Sequence, residues 1–255
     1  MRLQCDFTDR IGLLLPIMSE NNQESINKIL ATLPLDRYER IVAQSKQVNL
    51  KSGDILLEPE EEVDFIYFPQ TAMISLVSIM MDGSTTEIGL VGNEGTIGLS
   101  AILGGKSTIS RSIVQVSGSA LKVSAKIIVE EFHRGEKFQQ TILLYVQAFL
   151  TQVSQTAACN RQHKIEERLA RWLLSVQDCV LTNEIPLTQE FIANMLGTRR
   201  SGVTVAAGIL QQAGIISYTR GKITILNQDG LEDTACECYR LIQNEFLRLL
   251  GSKRG

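Results

Sequence analysis

Hydrophobic and polar positions follow two regimes along this chain. From Val48 to Ser124, short β-rich runs (Asp54 to Leu57, Phe65 to Phe68, Met73 to Met80, Thr85 to Val91, Ser112 to Ser117) alternate with turn signals. The turns are Lys51-Ser52-Gly53-Asp54, Met81-Asp82-Gly83-Ser84, Gly92-Asn93-Glu94-Gly95, Gly104-Gly105 and Ser117-Gly118-Ser119. Strands this short and this evenly spaced predict a sandwich or jelly roll. From about Lys126 the period becomes helical, and no glycine or proline occurs between Glu136 and Pro186. Phe138, Ile142, Tyr145, Phe149 and Val153 recur three and four residues apart, one apolar stripe on a long helix. Packing on the β-domain and a two-helix subunit interface both fit such a stripe. The interface is the expectation, because a connector would otherwise leave bulky residues exposed. Lys164 to Cys179 reads as a second helix with Ile165, Leu169, Trp172, Leu173 and Val176 inward.

The segment Leu187 to Ile216 carries the most specific pattern. Thr188 is a good N-cap, Gln189 and Glu190 suit the positive end of a helix, and Phe191, Ile192, Met195 and Leu196 form an inward face. Gly197 ends that helix and permits a tight turn. Thr198 can cap the next helix, whose inward side is Val203, Ala206, Ala207 and Leu210. Ala193 and Ala206 are small enough for the two backbones to cross closely. The outer side of the second helix holds Arg200, Ser201, Thr204, Val205 and Gly208, with Arg199 at its start. That side has no acid and no bulky group, so it can enter a major groove, and arginine suits bidentate bonding to guanine. Beyond Gly214, a hairpin tipped by Arg220 and Lys222 reads as a wing for phosphate contacts. From Thr188 to Leu226, four cations stand against Glu190, a local charge of +3 in a chain of net charge −3.

Composition narrows the rest. A hydrophobic fraction of 44% over 255 residues supports one large or two modest domains. The longest apolar run, Ile11 to Met18, is far shorter than the roughly 18 residues of a membrane span. Asp6, Asp9 and Arg10 do not suit a signal peptide, so a cytoplasmic protein without a membrane partner is expected. The acids Glu58, Glu60, Glu61, Glu62 and Asp64 read as a solvated loop. Five cysteines at irregular positions (Cys5, Cys159, Cys179, Cys236, Cys238) do not form a disulfide framework. Cys236-Glu237-Cys238 has no second pair, and His133 and His163 are distant in sequence. A structural zinc site needs about four ligands, so no metal is expected. The histidines have no nucleophile motif beside them, and no catalytic residue or enzyme activity is assigned.

Leu103 to Ser112 contains Gly105-Lys106-Ser107, the tail of a phosphate-binding Walker A loop. Ser100 stands where that motif needs its first glycine, and a β-branched run follows where it needs a helix. A nucleoside triphosphatase is therefore disfavoured, and Gly92, Gly95 and Gly98 lack the βαβ setting of a dinucleotide fingerprint.

With Leu187-Thr188, Ile192-Ala193, Leu196-Gly197, Arg200, Val203 and Leu210, the chain resembles the Crp/Fnr family of bacterial transcription regulators. The likeness extends from about Leu30 to Asn227. It implies an α+β fold: an N-terminal β-roll (a jelly roll of cyclic-nucleotide-binding type), a long dimerisation helix, and a C-terminal winged helix-turn-helix. The corresponding segments are a β-roll sensor 26–134, a dimerisation helix 135–162, and a DNA-binding domain 163–255; an N-terminal extension 1–25 and a C-terminal helix are expected besides, and the shared architecture does not explain them. By the resemblance Arg200 reads a base, and Thr188, Gln189 and Arg199 take phosphate or neighbouring contacts; Ser201, Thr204, Arg220 and Lys222 complete the expected DNA-binding set. Ser201 replaces the family's usual glutamate, and Val205 replaces a basic reader, so the familiar operators do not carry over.

In the family's cyclic-nucleotide binders a glutamate holds the ribose and an Arg-Ser pair holds the phosphate. Here Arg111-Ser112 matches the second element, while Thr96 stands near the first, so the expected effector pocket is Thr96, Arg111 and Ser112. A cyclic nucleotide is disfavoured because a site that loses one pairing group loses much of its affinity. The family's iron–sulfur and haem branches need cysteine clusters or axial ligands that this chain lacks, and neither cofactor is expected. The partners implied are double-stranded DNA, a second copy of the chain, RNA polymerase and a small-molecule effector of unknown identity. A regulator that acts through a protein partner instead of DNA is the alternative.

Overall fold

The computed structural model describes residues 26–180, 183–219 and 221–252. The expected N-terminal extension, Cys5 and Arg220 lie outside them. In chain order the elements are α1 (Leu35–Ala43), β1 (Ser45–Leu50), β2 (Ile55–Leu57), β3 (Phe65–Pro69), β4 (Met73–Ile79), β5 (Thr85–Val91), α2 (Leu99–Ile102), β6 (Arg111–Val116) and β7 (Gly118–Ser124). Then follow α3 (Ala125–His133), α4 (Glu136–Gln162), α5 (Ile165–Val180), β8 (Glu184–Pro186), α6 (Gln189–Met195), α7 (Arg200–Gln212), β9 (Ile216–Thr219), β10 (Lys222–Ile225), α8 (Gln228–Thr234) and α9 (Cys238–Leu250).

The roll consists of two antiparallel sheets, β1-β7-β3 and β2-β6-β4-β5. The chain passes from one to the other between β6 and β7, at Ser117 and Gly118. A side chain at Gly118 would sit 2.4 Å from the backbone of Thr71 and Ala72, so only glycine lets the two segments approach this closely. The period of two along the strands decides which side each residue faces. Ile74 and Val91 enter the core between the sheets, together with Phe68, Val114 and Leu121. Their neighbours Met73, Val77 and Leu90 point to the opposite face, into a second core shared with α5 and the C-terminal domain. The four-stranded sheet is thus covered on both faces, which is why β4 reads as a nearly continuous apolar run.

Helix α4 runs from Glu136 to Gln162, and its apolar stripe faces the roll. Phe138, Ile142, Tyr145 and Ala148 lie in the roll's own core, with Phe149 packed against it. The interface drawn through Phe138, Ile142 and Tyr145 is therefore corrected: these side chains are consumed within one subunit. Tyr145 also meets Phe246 of α9 edge-on, with ring centroids 6.5 Å apart. The C-terminal stretch, expected to hold one helix, holds two. It breaks at Ala235, which is extended (φ −66°, ψ 142°), and α9 turns back along α4 to bury Ile242 and Phe246 in the roll core. No helix among the described residues is long and apolar enough to cross a membrane.

Because Ile142 is fully buried in the subunit core, Ile142→Ala is expected to cost about 2–5 kcal/mol of stability. Equilibrium unfolding in urea measures it, and a loss under about 1 kcal/mol would contradict the inward placement of this face.

Candidate nucleic-acid interface

The expected helix-turn-helix is present. Thr188 adopts an extended backbone at the N-cap of α6, and its hydroxyl accepts from the Phe191 N–H at 3.2 Å. That satisfies one of the backbone donors left open at the helix start. Ile192, Ala193 and Met195 are buried. Gly197 follows with φ +56°, a left-handed conformation that turns the chain toward α7 without strain. The residue that caps α7 is Arg199, with extended φ and ψ and no side-chain bond to the helix, rather than Thr198.

Helix α7 buries Val203, Ala206, Ala207 and Leu210 and exposes Arg200, Ser201, Thr204 and Val205. With Arg199 also exposed, the outer face carries two guanidiniums and no carboxylate of its own. Thr204 donates to Gln189 Oε1 at 2.9 Å, which ties the start of α6 to the middle of this face. The wing is a three-stranded sheet, β8-β10-β9, one strand more than the hairpin expected. Tyr218 donates its hydroxyl to the Leu187 carbonyl at 3.1 Å and so locks the wing to the entry of α6. Burial holds this phenol's pKa above its ordinary value, against the opposing charge of Arg200, so it remains a donor.

Of the expected DNA-binding residues, Thr188, Gln189, Arg199, Arg200, Ser201 and Thr204 gather at the exposed corner of α6 and α7, and Lys222 lies on the wing. Lys222 pairs with Glu184 at 3.0 Å, both partners being about half exposed. Glu184 precedes the Thr188–Leu226 segment by four residues. With it, four cations stand against Glu184 and Glu190, and the local charge falls from +3 to +2. The pairing of β8 with β10 brings that acid in, which the linear sequence conceals.

Of the three residues expected to hold an effector, the structure brings two together. Thr96 and Ser112 are buried and line a cavity of about 80 Å³ beneath α4, closed by Tyr145 and Phe149. Thr96 gives its hydroxyl to the Tyr67 carbonyl at 3.0 Å. Arg111 stands apart from them, its Nε donating to Glu58 Oε2 at 2.8 Å. The cavity is small beside the roughly 300–1,000 Å³ of ordinary small-molecule sites. The loop from Leu103 precedes a strand, not a helix, and lies antiparallel to residues 60–63: Val63 N–H donates to Lys106 O at 2.9 Å and Glu60 N–H to Thr108 O at 2.7 Å. It turns a corner of the roll.

A further group is one that sequence reasoning separated. The break at Ala235 places Cys236 and Cys238 against the end of α4, where Cys159 and His163 stand one helical turn apart. All four donor atoms lie within 4.8 Å of one another. The expectation that the C-x-C pair stands alone is thereby corrected: two further donor side chains, more than seventy residues upstream, lie beside it.

Residues 167–234 match the sequence pattern of the Crp-like helix-turn-helix domain. In three dimensions the chain is similar to FixK2 from Bradyrhizobium japonicum (15% identity, TM-score 0.65, covering 75% of this chain and 98% of that one). It is similar as well to a CRP/FNR-family transcriptional regulator from Thermus thermophilus (20% identity, TM-score 0.63, 74% and 98% covered). The c-di-GMP-responsive global regulator CLP from Xanthomonas campestris has the same fold (12% identity, TM-score 0.63, 75% and 99% covered). No curated protein matches the chain in sequence. The chain thus carries a Crp-like helix-turn-helix domain on the fold of Crp/Fnr-family transcriptional regulators.

Because Arg111 is engaged by Glu58 and the cavity is small, calorimetric titration with cyclic AMP or cyclic GMP is expected to give no binding heat. Micromolar binding abolished by Arg111→Ala would overturn this, and would mean that the pair opens to admit a phosphate.

Proposed function

We propose that the protein is a sequence-specific DNA-binding transcription regulator that acts as a homodimer on an inverted repeat. The observation that carries this reading is the outer face of α7. It is exposed, free of carboxylates, begins with two arginines, and is held rigid by an inner face buried from Val203 to Leu210. Such a helix lies in a major groove with its N-terminal side chains at the base edges. Arg200 is the base reader in this reading. Thr188, Gln189 and Arg199 sit beside the flanking phosphates, and Lys222 reaches the backbone from the wing after exchanging Glu184 for a phosphate.

Dimerisation uses the side of α4 opposite the roll. Leu143 and Leu150 are exposed large hydrophobics, and with Ala157 they recur every seven residues. Val146 and Val153, half-buried, alternate with them at the intervening positions. This is the a/d pattern of a two-helix coiled coil. Of the stripe expected from sequence, Val153 belongs to this seam. A two-fold axis along α4 sets the two copies of α7 for successive major grooves, about 34 Å apart. An effector, where one acts, enters through the roll and changes the relative orientation of the two heads.

Arg200→Ala is expected to cost about 1–3 kcal/mol on the cognate site and to relax one base position, whereas Lys222→Ala weakens all sequences alike and lowers the salt slope by about one. Fluorescence anisotropy with matched and scrambled duplexes at several salt concentrations separates the two. Equal losses on every sequence for both variants would remove Arg200 from base reading. Leu150→Glu is expected to convert the dimer to monomer in sedimentation velocity with the fold retained by circular dichroism; an unchanged dimer would place the interface elsewhere.

A further inference from the structure

Cys159 and His163 close the last turn of α4, four residues apart and so on one face of the helix. Cys236 and Cys238 reach them from the turn between α8 and α9. Cys159, Cys236 and Cys238 are buried, and His163 is mostly so. From these positions we propose that Cys159, His163, Cys236 and Cys238 form a structural site for a single zinc ion. It joins the turn between α8 and α9 to the end of the long helix, where the chain passes toward the helix-turn-helix domain.

The spacing fits one ion. Around a tetrahedral zinc with bonds of about 2.3 Å to sulfur and 2.0–2.1 Å to nitrogen, two thiolates lie about 3.8 Å apart, and a thiolate and an imidazole nitrogen about 3.6 Å apart. Cys159 Sγ and Cys236 Sγ are separated by 3.5 Å, as are Cys238 Sγ and His163 Nδ1. Donors this close enclose one metal, and their three-sulfur, one-nitrogen composition favours a borderline-soft ion over magnesium or calcium.

The surroundings are also those of a metal site. His163 turns Nδ1 inward and holds its Nε2 3.2 Å from Glu237 Oε2, the carboxylate support that fixes the ring orientation of a ligating histidine. Gln155 donates its side-chain N–H to Cys238 Sγ at 3.2 Å. On binding, three thiols release their protons to water, and three thiolates, a neutral imidazole and Zn²⁺ carry a net charge of −1. Two buried arginines, Arg168 and Arg171, lie close enough to act electrostatically on Cys159, and the Nε of each has no hydrogen-bond acceptor. Guanidiniums in such a position require a nearby anion, and the loaded site supplies one. A Cys159–Cys236 disulfide would employ only two of the four donors and would leave the His163–Glu237 arrangement without a purpose. The proposal does not rest on DNA binding.

The test is made on the full chain purified under reducing conditions with zinc present. Elemental analysis is expected to find about one zinc per chain. After chelation, titration with Co²⁺ is expected to produce the intense visible bands of tetrahedral thiolate coordination together with a sulfur-to-cobalt charge-transfer band. Chelation is also expected to lower the melting temperature, and added Zn²⁺ to restore it. Glu237→Gln, which removes no ligand, is expected to weaken Co²⁺ affinity about tenfold or more while the visible spectrum persists. Metal-free reduced protein with no cobalt bands would overturn the proposal. So would native protein whose mass shows a Cys159–Cys236 disulfide, which makes the group a redox pair. The cobalt titration uses the unmodified chain, so the result does not depend on whether a cysteine variant folds.

Discussion

From Arg168 to Val176 every residue of α5 is buried, and this single constraint governs how the helix-turn-helix is carried. One side of α5 packs on the outer face of the roll's four-stranded sheet, the other on α7 and α8. A helix enclosed in this way cannot dispose of its polar groups in water, so partners inside the protein are favoured, the Nε of Arg168 and of Arg171 being left without one. Trp172 gives its indole N–H to Glu87 on β5 at 3.0 Å, and Ser75 on β4 donates to the other oxygen of the same carboxylate. Arg168 reaches Asn160 on α4 and the Leu196 carbonyl at the end of α6. The apolar contacts set the strength of the joint. The buried polar contacts set its register, because a rotation of α5 that preserved burial would still take the Trp172 indole N–H away from Glu87 Oε1.

The same joint accounts for which features could be read from the chain itself. Local chemistry was legible: the helix-turn-helix follows from a cap at Thr188, a left-handed glycine at 197 and small residues at the crossing. What a stripe is buried against is not local. Phe138, Ile142 and Tyr145 have the spacing of a buried face whether the neighbour is a second subunit or the roll, and only the topology of the sheets assigns them to the roll. The thinner series Leu143, Leu150 and Ala157 was overshadowed by that aromatic stripe. Arg111 had the right residue type for a phosphate, but its partner Glu58 arrives from 53 residues away on an adjacent segment. Distance in sequence hid the Cys159–His163 and Cys236–Cys238 grouping in the same way, and no glycine or proline marks the break at Ala235 that creates it.

Helix α4 therefore works on three fronts at once. Its inner face completes the core of the roll, its outer face carries a heptad of apolar residues, and its last turn holds two of four clustered donor atoms. Tyr145 and Phe149 lie on the inner face and also wall the cavity that contains Thr96 and Ser112. Any group that enlarged this cavity would press on the helix rather than on a mobile loop. Packed interiors do not yield gradually, so the displacement would pass along α4 as a shift of the whole element. Its far end is the hinge at His163, where the backbone leaves the helix (φ −100°, ψ 151°) and re-enters as α5 two residues later. Arg168, one turn into α5, touches both sides of that hinge through Asn160 and Leu196. A change in the roll and a change at the cysteine cluster would thus converge on one guanidinium, and that guanidinium holds the Leu196 carbonyl just ahead of Gly197, the left-handed residue between the two helices of the helix-turn-helix.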